Sequence, residues 1–277
     1  MLKLSFSTLG CPTWSLRHIV ENAARMGYDA VDFRGLGANL DITELPEFTA
    51  GLAETRRWLA DAGLAVSGVA TSARGAVADP EERRKHLEEV RRNAALAAEL
   101  GASAVRVFGG AVPSGHTMES IRPCLIENLR AWGEEGAKVG VTIALETHDV
   151  WTDSARVAGI IEETAHPRVG VLWDLANPWT DHGEAPELTC SRLAPYTVST
   201  HVKDAVRTPE GKLSYVPVGE GEVPVRDMLE GLVRAGYRGY AVLEWEKRWH
   251  PELPEPETVF PRFVERMRAW GLAARRD

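Results

Sequence analysis

One alternation constrains this chain more than any other feature. Short β-branched runs recur between longer amphipathic segments, and the cycle can be counted to eight. The strand candidates are Leu2–Ser7, Ala30–Phe33, Ala65–Val69, Ala104–Phe108, Thr142–Leu145, Val169–Trp173, Thr197–Thr200 and Ala241–Leu243. Two of the intervening segments read plainly as helices. Asp79-Pro80 offers an N-cap followed by proline at the first helical position, Leu87, Val90, Ala94 and Ala97 fall on one face, and Gly101 ends the segment. Ile121, Leu125, Leu129, Trp132 and Val139 form a second stripe, stopped by Gly140 directly before the fifth strand. Gly27, Gly63 and Gly236 repeat the same stop shortly before other strands.

Eight such units in 277 residues predict an α/β fold, a single (β/α)8 barrel domain spanning residues 1–277. A doubly wound sheet usually has fewer strands and a glycine-rich first turn, and Leu9-Gly10-Cys11-Pro12 is not that fingerprint. No Ser/Gly linker or compositional break divides the chain. A barrel of this kind carries its reactive side chains at the C-terminal ends of its strands, on the face built by the βα loops.

Composition narrows the partners. The formal net charge of −8 argues against a nucleic acid held by a basic surface. With 44% hydrophobic and 26% charged residues the chain can bury a large core, which excludes disorder. The longest apolar runs, such as Val169–Trp173, fall far short of the ~20 residues needed to cross a bilayer, so no membrane partner is expected. The opening MLKLSFSTLGCP enters a strand pattern without a basic region, a long apolar stretch or a cleavage site, and a cytoplasmic protein is expected. Cys11, Cys124 and Cys190 lack Cys-x-x-Cys spacing and read as reduced thiols.

The ends of the last four strands carry the chemistry. They read Glu146 (TIALE), Asp174 (VGVLWD), His201 (VSTH) and Glu244 (YAVLE). One carboxylate after an apolar strand is commonly the cap of the next helix. Four metal-competent groups at one topological level are harder to dismiss, because three carboxylates converging on a barrel mouth repel unless a cation joins them. Three oxygen donors and an imidazole suit one divalent metal ion, Mn²⁺, Mg²⁺ or Co²⁺, and are compatible with Zn²⁺.

From FSTLGCP through VDFRGLG, AALAAELGASAVRVFGG, ALETHD, VLWDLANPW and HVKD to VGEGEVP and GYRGYAVLEWE, the chain resembles the xylose isomerase-like TIM barrels, a family of sugar and sugar phosphate isomerases and epimerases within the AP endonuclease family 2 superfamily. The resemblance implies that Glu146, Asp174, His201 and Glu244 are metal ligands. It implies also that Glu146 and Glu244 are catalytic, facing each other across a small sugar or sugar phosphate and exchanging protons with its carbon. One departure stands out: many relatives have histidine three residues after the strand-six aspartate, and this chain has Asn177, which can hydrogen-bond a substrate but cannot carry a proton. The third and fourth strand ends lack the histidines of the trinuclear nuclease relatives, which agrees with the negative charge.

Other residues are candidates of lower rank. His148 in LETHD, Asn177, and Lys203 in HVKD are expected to bind substrate, Lys203 because alternation returns it to the face of His201, with an exposed pair to Asp204 as its plain alternative. Arg34 and Arg106 read as pairing charges, Arg106 as a structural ion pair. Trp14, Trp151, Trp173, Trp179 and Trp245 suggest an apolar rim around the mouth, and Glu220 is a candidate acceptor for the non-metal nitrogen of His201. The glycine-rich stretches GGAVPSG and VGEGEVP could cradle a phosphate, although Glu220 and Glu222 would repel one. The expected activity is metal-dependent isomerisation or epimerisation by carboxylate proton transfer through an enediolate. An inosose-type sugar dehydratase on the same metal site and a non-catalytic sugar-binding barrel are the alternatives, and a homo-oligomer is left open.

Overall fold

The computed structural model describes residues 1–274. Its eight parallel strands are β1 (Lys3–Ser7), β2 (Ala30–Phe33), β3 (Ala65–Arg74), β4 (Ala104–Phe108), β5 (Thr142–Glu146), β6 (Val169–Asp174), β7 (Thr197–Val202) and β10 (Tyr240–Leu243). They close in the order β1-β10-β7-β6-β5-β4-β3-β2, with β1 paired to both β2 and β10, so the barrel has no free edge. All eight expected strands are present. β3 runs on from Val69 to Arg74, and its partner on β4 slips in register beyond Ala70.

The helices are α1 (Leu16–Met26), α2 (Leu52–Asp61), α3 (Pro80–Leu100), α4 (Met118–Val139), α5 (Ser154–Thr164), α6 (Ala176–His182), α7 (Pro186–Leu193), α8 (Val225–Arg234) and α9 (Pro256–Ala269). Their ends follow the local chemistry. The Asp79 side chain accepts the Glu82 N–H at 2.9 Å to start α3, and Gly101 stops it in the left-handed region at φ 73°. Gly140 does the same for α4 at φ 78°. None of these helices is long and apolar enough to cross a membrane.

Alternation along the strands divides the core in two. Val105 and Val107 on β4 and Val171 and Trp173 on β6 are fully buried, and each such side chain contributes roughly 1.5–3 kcal/mol by leaving water. Phe6, Tyr28, Phe260 and Phe263 knit β1 and α9 together, with the Tyr28 hydroxyl donating to the Phe260 carbonyl at 3.0 Å. The barrel interior is polar: Ser5 and Ser67 meet at 2.7 Å, and Asp32 and Arg106 are buried. An antiparallel hairpin, β8 (Asp204–Arg207) and β9 (Leu213–Val216), follows β7 and was not anticipated from sequence. Its four-residue strands, DAVR and LSYV, mix polar with apolar side chains and are only partly buried, so they lack the apolar run that marked the others.

Candidate metal centre

The strand register brings four side chains to one level. Glu146 ends β5 and Asp174 ends β6, Asp174 pairs with His201 on β7, and the Glu244 N–H donates to the Val202 carbonyl at 2.9 Å just past β10. The donor atoms of Glu146, Asp174, His201 and Glu244 all lie within 4.8 Å of one another, and all four residues are buried. His201 turns Nδ1 inward, 2.9 Å from Glu146 Oε1 and 3.0 Å from Glu244 Oε1. Asp174 Oδ1 accepts the N–H groups of Ala176 at 2.9 Å and Asn177 at 3.3 Å, so the first turn of α6 fixes that carboxylate.

A lysine completes the group. Lys203 Nζ lies 2.8 Å from Asp174 Oδ2, 3.1 Å from Glu244 Oε2 and 2.9 Å from Glu246 Oε1, beneath the Tyr215 ring of β9 at 5.8 Å. Asp204, its plain alternative partner, points away and accepts the N–H groups of Ala205, Gly219, Gly221 and Val223. Glu246 joins the site unannounced, though its place two residues beyond Glu244 puts it on the same face of an extended segment.

The charges are strongly coupled. Burial opposes ionisation of His201, but Glu244 and Glu146 outweigh it and hold its pKa well above the imidazole range. Burial likewise raises Asp174 to about 7, partly offset by the Lys203 charge. For Glu146 the upward pull of burial is overcome by Arg106 and His201, and its pKa falls below the usual carboxylate value. Three buried carboxylates and an inward imidazole nitrogen, converging at this spacing, form a set that can hold a divalent cation.

The remaining expectations meet mixed outcomes. Asn177 donates its amide to the Thr147 carbonyl at 2.9 Å, at the mouth beside Asp174. His148 packs on Phe108 at 4.7 Å between ring centres, with Nδ1 3.2 Å from Asp149 Oδ1. Although burial lowers it, that carboxylate raises the His148 pKa. Glu220 is not the acceptor for His201: it pairs with Arg262 on the surface, and His201 Nε2 is buried without a hydrogen-bond partner among the described residues. Trp14, Trp151, Trp173 and Trp245 are buried in the core, leaving only Trp179 of the supposed rim partly accessible. Neither glycine-rich stretch forms the phosphate cradle considered above, because Asp204 takes the Gly219 and Gly221 N–H groups and Asp149 takes that of Gly110 at 3.0 Å.

The family described as the xylose isomerase-like TIM barrel matches residues 20–270. The chain belongs to that family. Among curated relatives of this xylose isomerase-like barrel, fructoselysine 3-epimerase of Shigella flexneri is 21% identical over 278 residues, covering 97% of this chain and 98% of the relative. Among solved structures, the IOLI protein with a bound zinc atom superposes with a TM-score of 0.82 at 17% identity, covering 98% of both chains. The probable 3-DHS dehydratase AsbF of Bacillus anthracis superposes with a TM-score of 0.80 at 17% identity, covering 96% of this chain and 99% of the other. At these identities the structural likeness establishes the fold, and sugar isomerases and epimerases are the class to which the family relationship points.

Proposed function

We propose that this protein is a divalent-metal-dependent sugar isomerase or epimerase that works by carboxylate proton transfer through an enediolate. The observation that carries this reading is the convergence of Glu146, Asp174, His201 and Glu244 at the barrel mouth. The epimerase activity named for the fructoselysine relative supports it. A cation held by these four residues supplies Lewis acidity, which makes a C–H bond next to a carbonyl acidic enough for a carboxylate to break.

The protein's own residues then divide the work. Glu146 and Glu244 are the proton carriers, and each has its outer oxygen against a cation: Glu146 Oε2 lies 3.2 Å from Arg106 Nε, and Glu244 Oε2 accepts from Lys203. Lys203 remains held by Asp174 and Glu246 if Glu244 swings toward substrate, whereas among the described residues Arg106 has no second carboxylate within ion-pair distance. Glu244 is therefore the freer base, taking the proton from one face of the carbon, while Glu146, protonated beforehand, delivers a different proton to the opposite face and ends as the carboxylate. Lys203 donates to the substrate oxygen that gains charge. The Asn177 side-chain oxygen and His148 orient hydroxyls.

A second reading shares the site. Lys203, held among ligand carboxylates, is placed to protonate a departing β-hydroxyl, which would make the protein a dehydratase, and the activity named for the AsbF neighbour is of that kind. Incubation with Mn²⁺ in D₂O on a panel of ketoses and inososes separates the readings. Epimerisation or isomerisation through an enediolate places deuterium at the carbon beside the carbonyl, while dehydration yields an unsaturated product. Glu244→Gln should depress turnover far more than substrate binding. Conversion without deuterium uptake, or full activity in both Glu146→Gln and Glu244→Gln, overturns proton transfer.

A further inference from the structure

Across the barrel mouth from Lys203, two guanidinium groups are buried with too few partners. Arg34, the first residue after β2, is 6% exposed, and among the described residues no carboxylate lies within ion-pair distance of it. Its bonds go to neutral acceptors, the Ser72 hydroxyl at 2.9 Å and the Leu40 carbonyl at 3.4 Å. Arg106, on β4, is 4% exposed. Its Nε lies 3.2 Å from Glu146 Oε2 without the alignment of a hydrogen bond, its NH1 is buried without a partner among the described residues, and its guanidinium carbon rests 3.8 Å from the centre of the Phe108 ring.

β3 lies between the strands that carry these arginines, pairing with β2 on one side and β4 on the other, so both side chains flank the same sector of the mouth. They feel each other: burial first, then the Arg106 charge, pushes the Arg34 pKa down to about 9, which leaves it cationic at neutral pH. The nearby carboxylates do not remove the imbalance. Glu89 spends Oε1 on the Ser72 N–H, Asp32 makes no ion pair with either arginine, and Glu146 belongs to the metal set. A buried cation short of carboxylate partners is costly, and Arg34 with none beside Arg106 with only Glu146 is a surplus of positive charge that an anion from elsewhere would offset.

The geometry points to an oxyanion subsite formed by Arg34 and Arg106, so that the substrate is a polyhydroxylated compound bearing a carboxylate or phosphate, held at the β2–β4 side while its carbonyl end faces Glu146 and Glu244. This deepens the sugar isomerase or epimerase reading and rests on it for where the carbonyl lies. A guanidinium fork stacked on an aromatic face and turned to a planar or tetrahedral oxyanion is the geometry that makes arginine preferable to lysine for such recognition. The arginines thereby supply the anion site that the glycine-rich stretches do not.

The test is calorimetric titration of the Mn²⁺-loaded protein with sorbitol, gluconate and sorbitol 6-phosphate. At least one of the two anionic probes should bind ten-fold or more tighter than sorbitol, and which one does so identifies the carboxylate or the phosphate as the recognised group. That preference should fall to within two-fold in Arg34→Gln, which leaves the Arg106–Glu146 pair untouched, and in Arg106→Gln, with thermal melting used to verify folding. Wild-type protein that binds both anions no tighter than sorbitol overturns the subsite. So does a preference that survives Arg34→Gln, since it would then come from chelation at the metal. Manganese stoichiometry in the same samples keeps the two proposals apart: one bound ion without anion preference removes only the subsite, and anion preference without bound metal removes only the metal-dependent mechanism.

Discussion

The two sides of the barrel mouth solve opposite electrostatic problems. On the side of β5, β6, β7 and β10, Glu146, Asp174, Glu244 and Glu246 crowd around one lysine and one histidine, so acid exceeds base. On the side of β2, β3 and β4, Arg34 and Arg106 outnumber the carboxylates that touch them. The acid side is closed by internal ion pairs at 2.8–3.1 Å, and it can be satisfied further only by a cation. The basic side is held by a hydroxyl, a carbonyl, an aromatic face and the single approach of Arg106 to Glu146, so an anion is what would improve it. A pocket polarised in this way would orient a substrate whose two ends differ in charge, because reversing it would set anion against carboxylate.

The largest effect should come from breaking the acid side. Asp174→Ala removes a proposed ligand whose carboxylate is held by two backbone N–H groups and a lysine. Because changes merely next to a metal ligand typically cost ~10–100-fold in affinity, loss of the ligand itself should weaken Mn²⁺ binding by more than about 100-fold. The barrel should stay folded, its stability residing in strand and helix packing. Elemental analysis and circular dichroism check both halves, and undiminished metal stoichiometry would remove Asp174 from the ligand set.

How much of this was readable in advance follows the same division. Glu146, Asp174 and Glu244 each stand at the end of an apolar run, where an abrupt change of residue type marks both the strand's end and its functional group. The order of strands and the left-handed glycines after α3 and α4 were likewise local signals. The Arg106–Glu146 approach and the role of Ser72 were not, since they depend on which strands become neighbours when the barrel closes, and the β8–β9 hairpin was not because its four-residue strands carry no distinct apolar run. Tryptophan misled for a related reason: a large ring near a strand end fits the core as readily as the mouth, and Trp151 and Trp173 are wholly buried. The glycine-rich loops failed as anion cradles because Asp149 and Asp204, outside those stretches in sequence, fold onto the amides of Gly110 and Gly219.

A smaller effect sharpens the contrast between internal and external neutralisation. Lys203→Met, of similar length without the charge, strips the counter-ion from Asp174, Glu244 and Glu246. In metal-free protein this should cost about 3–5 kcal/mol of unfolding free energy, the usual penalty for leaving a buried charge unpaired. Saturating Mn²⁺ should recover much of that loss, because a bound cation replaces the missing positive charge. Denaturant titrations with and without metal measure the difference. Equal losses in the two states would mean that Lys203 and the cation do not share the same carboxylates.

The smallest expected effect lies on the basic side. The Arg106 guanidinium rests on the Phe108 ring at 3.8 Å, and His148 is a second neighbour of that ring at 4.7 Å. A desolvated cation over an aromatic face is stabilised by up to ~2 kcal/mol, and an exposed one by ~0.5–1. Phe108→Leu keeps an apolar side chain but removes the face, so it should lower stability by about 1–2 kcal/mol and leave metal stoichiometry unchanged. The single variant also loses packing, and only the coupling isolates the cation–ring contact. In a double-mutant cycle with Arg106→Met, the two losses should fall short of additivity by roughly 1 kcal/mol. Full additivity would mean that Glu146 alone holds Arg106. The guanidinium would then be part of the acid side's ion-pair network, and the division of the mouth into two opposed halves would have to be redrawn with Arg34 as its only cationic member.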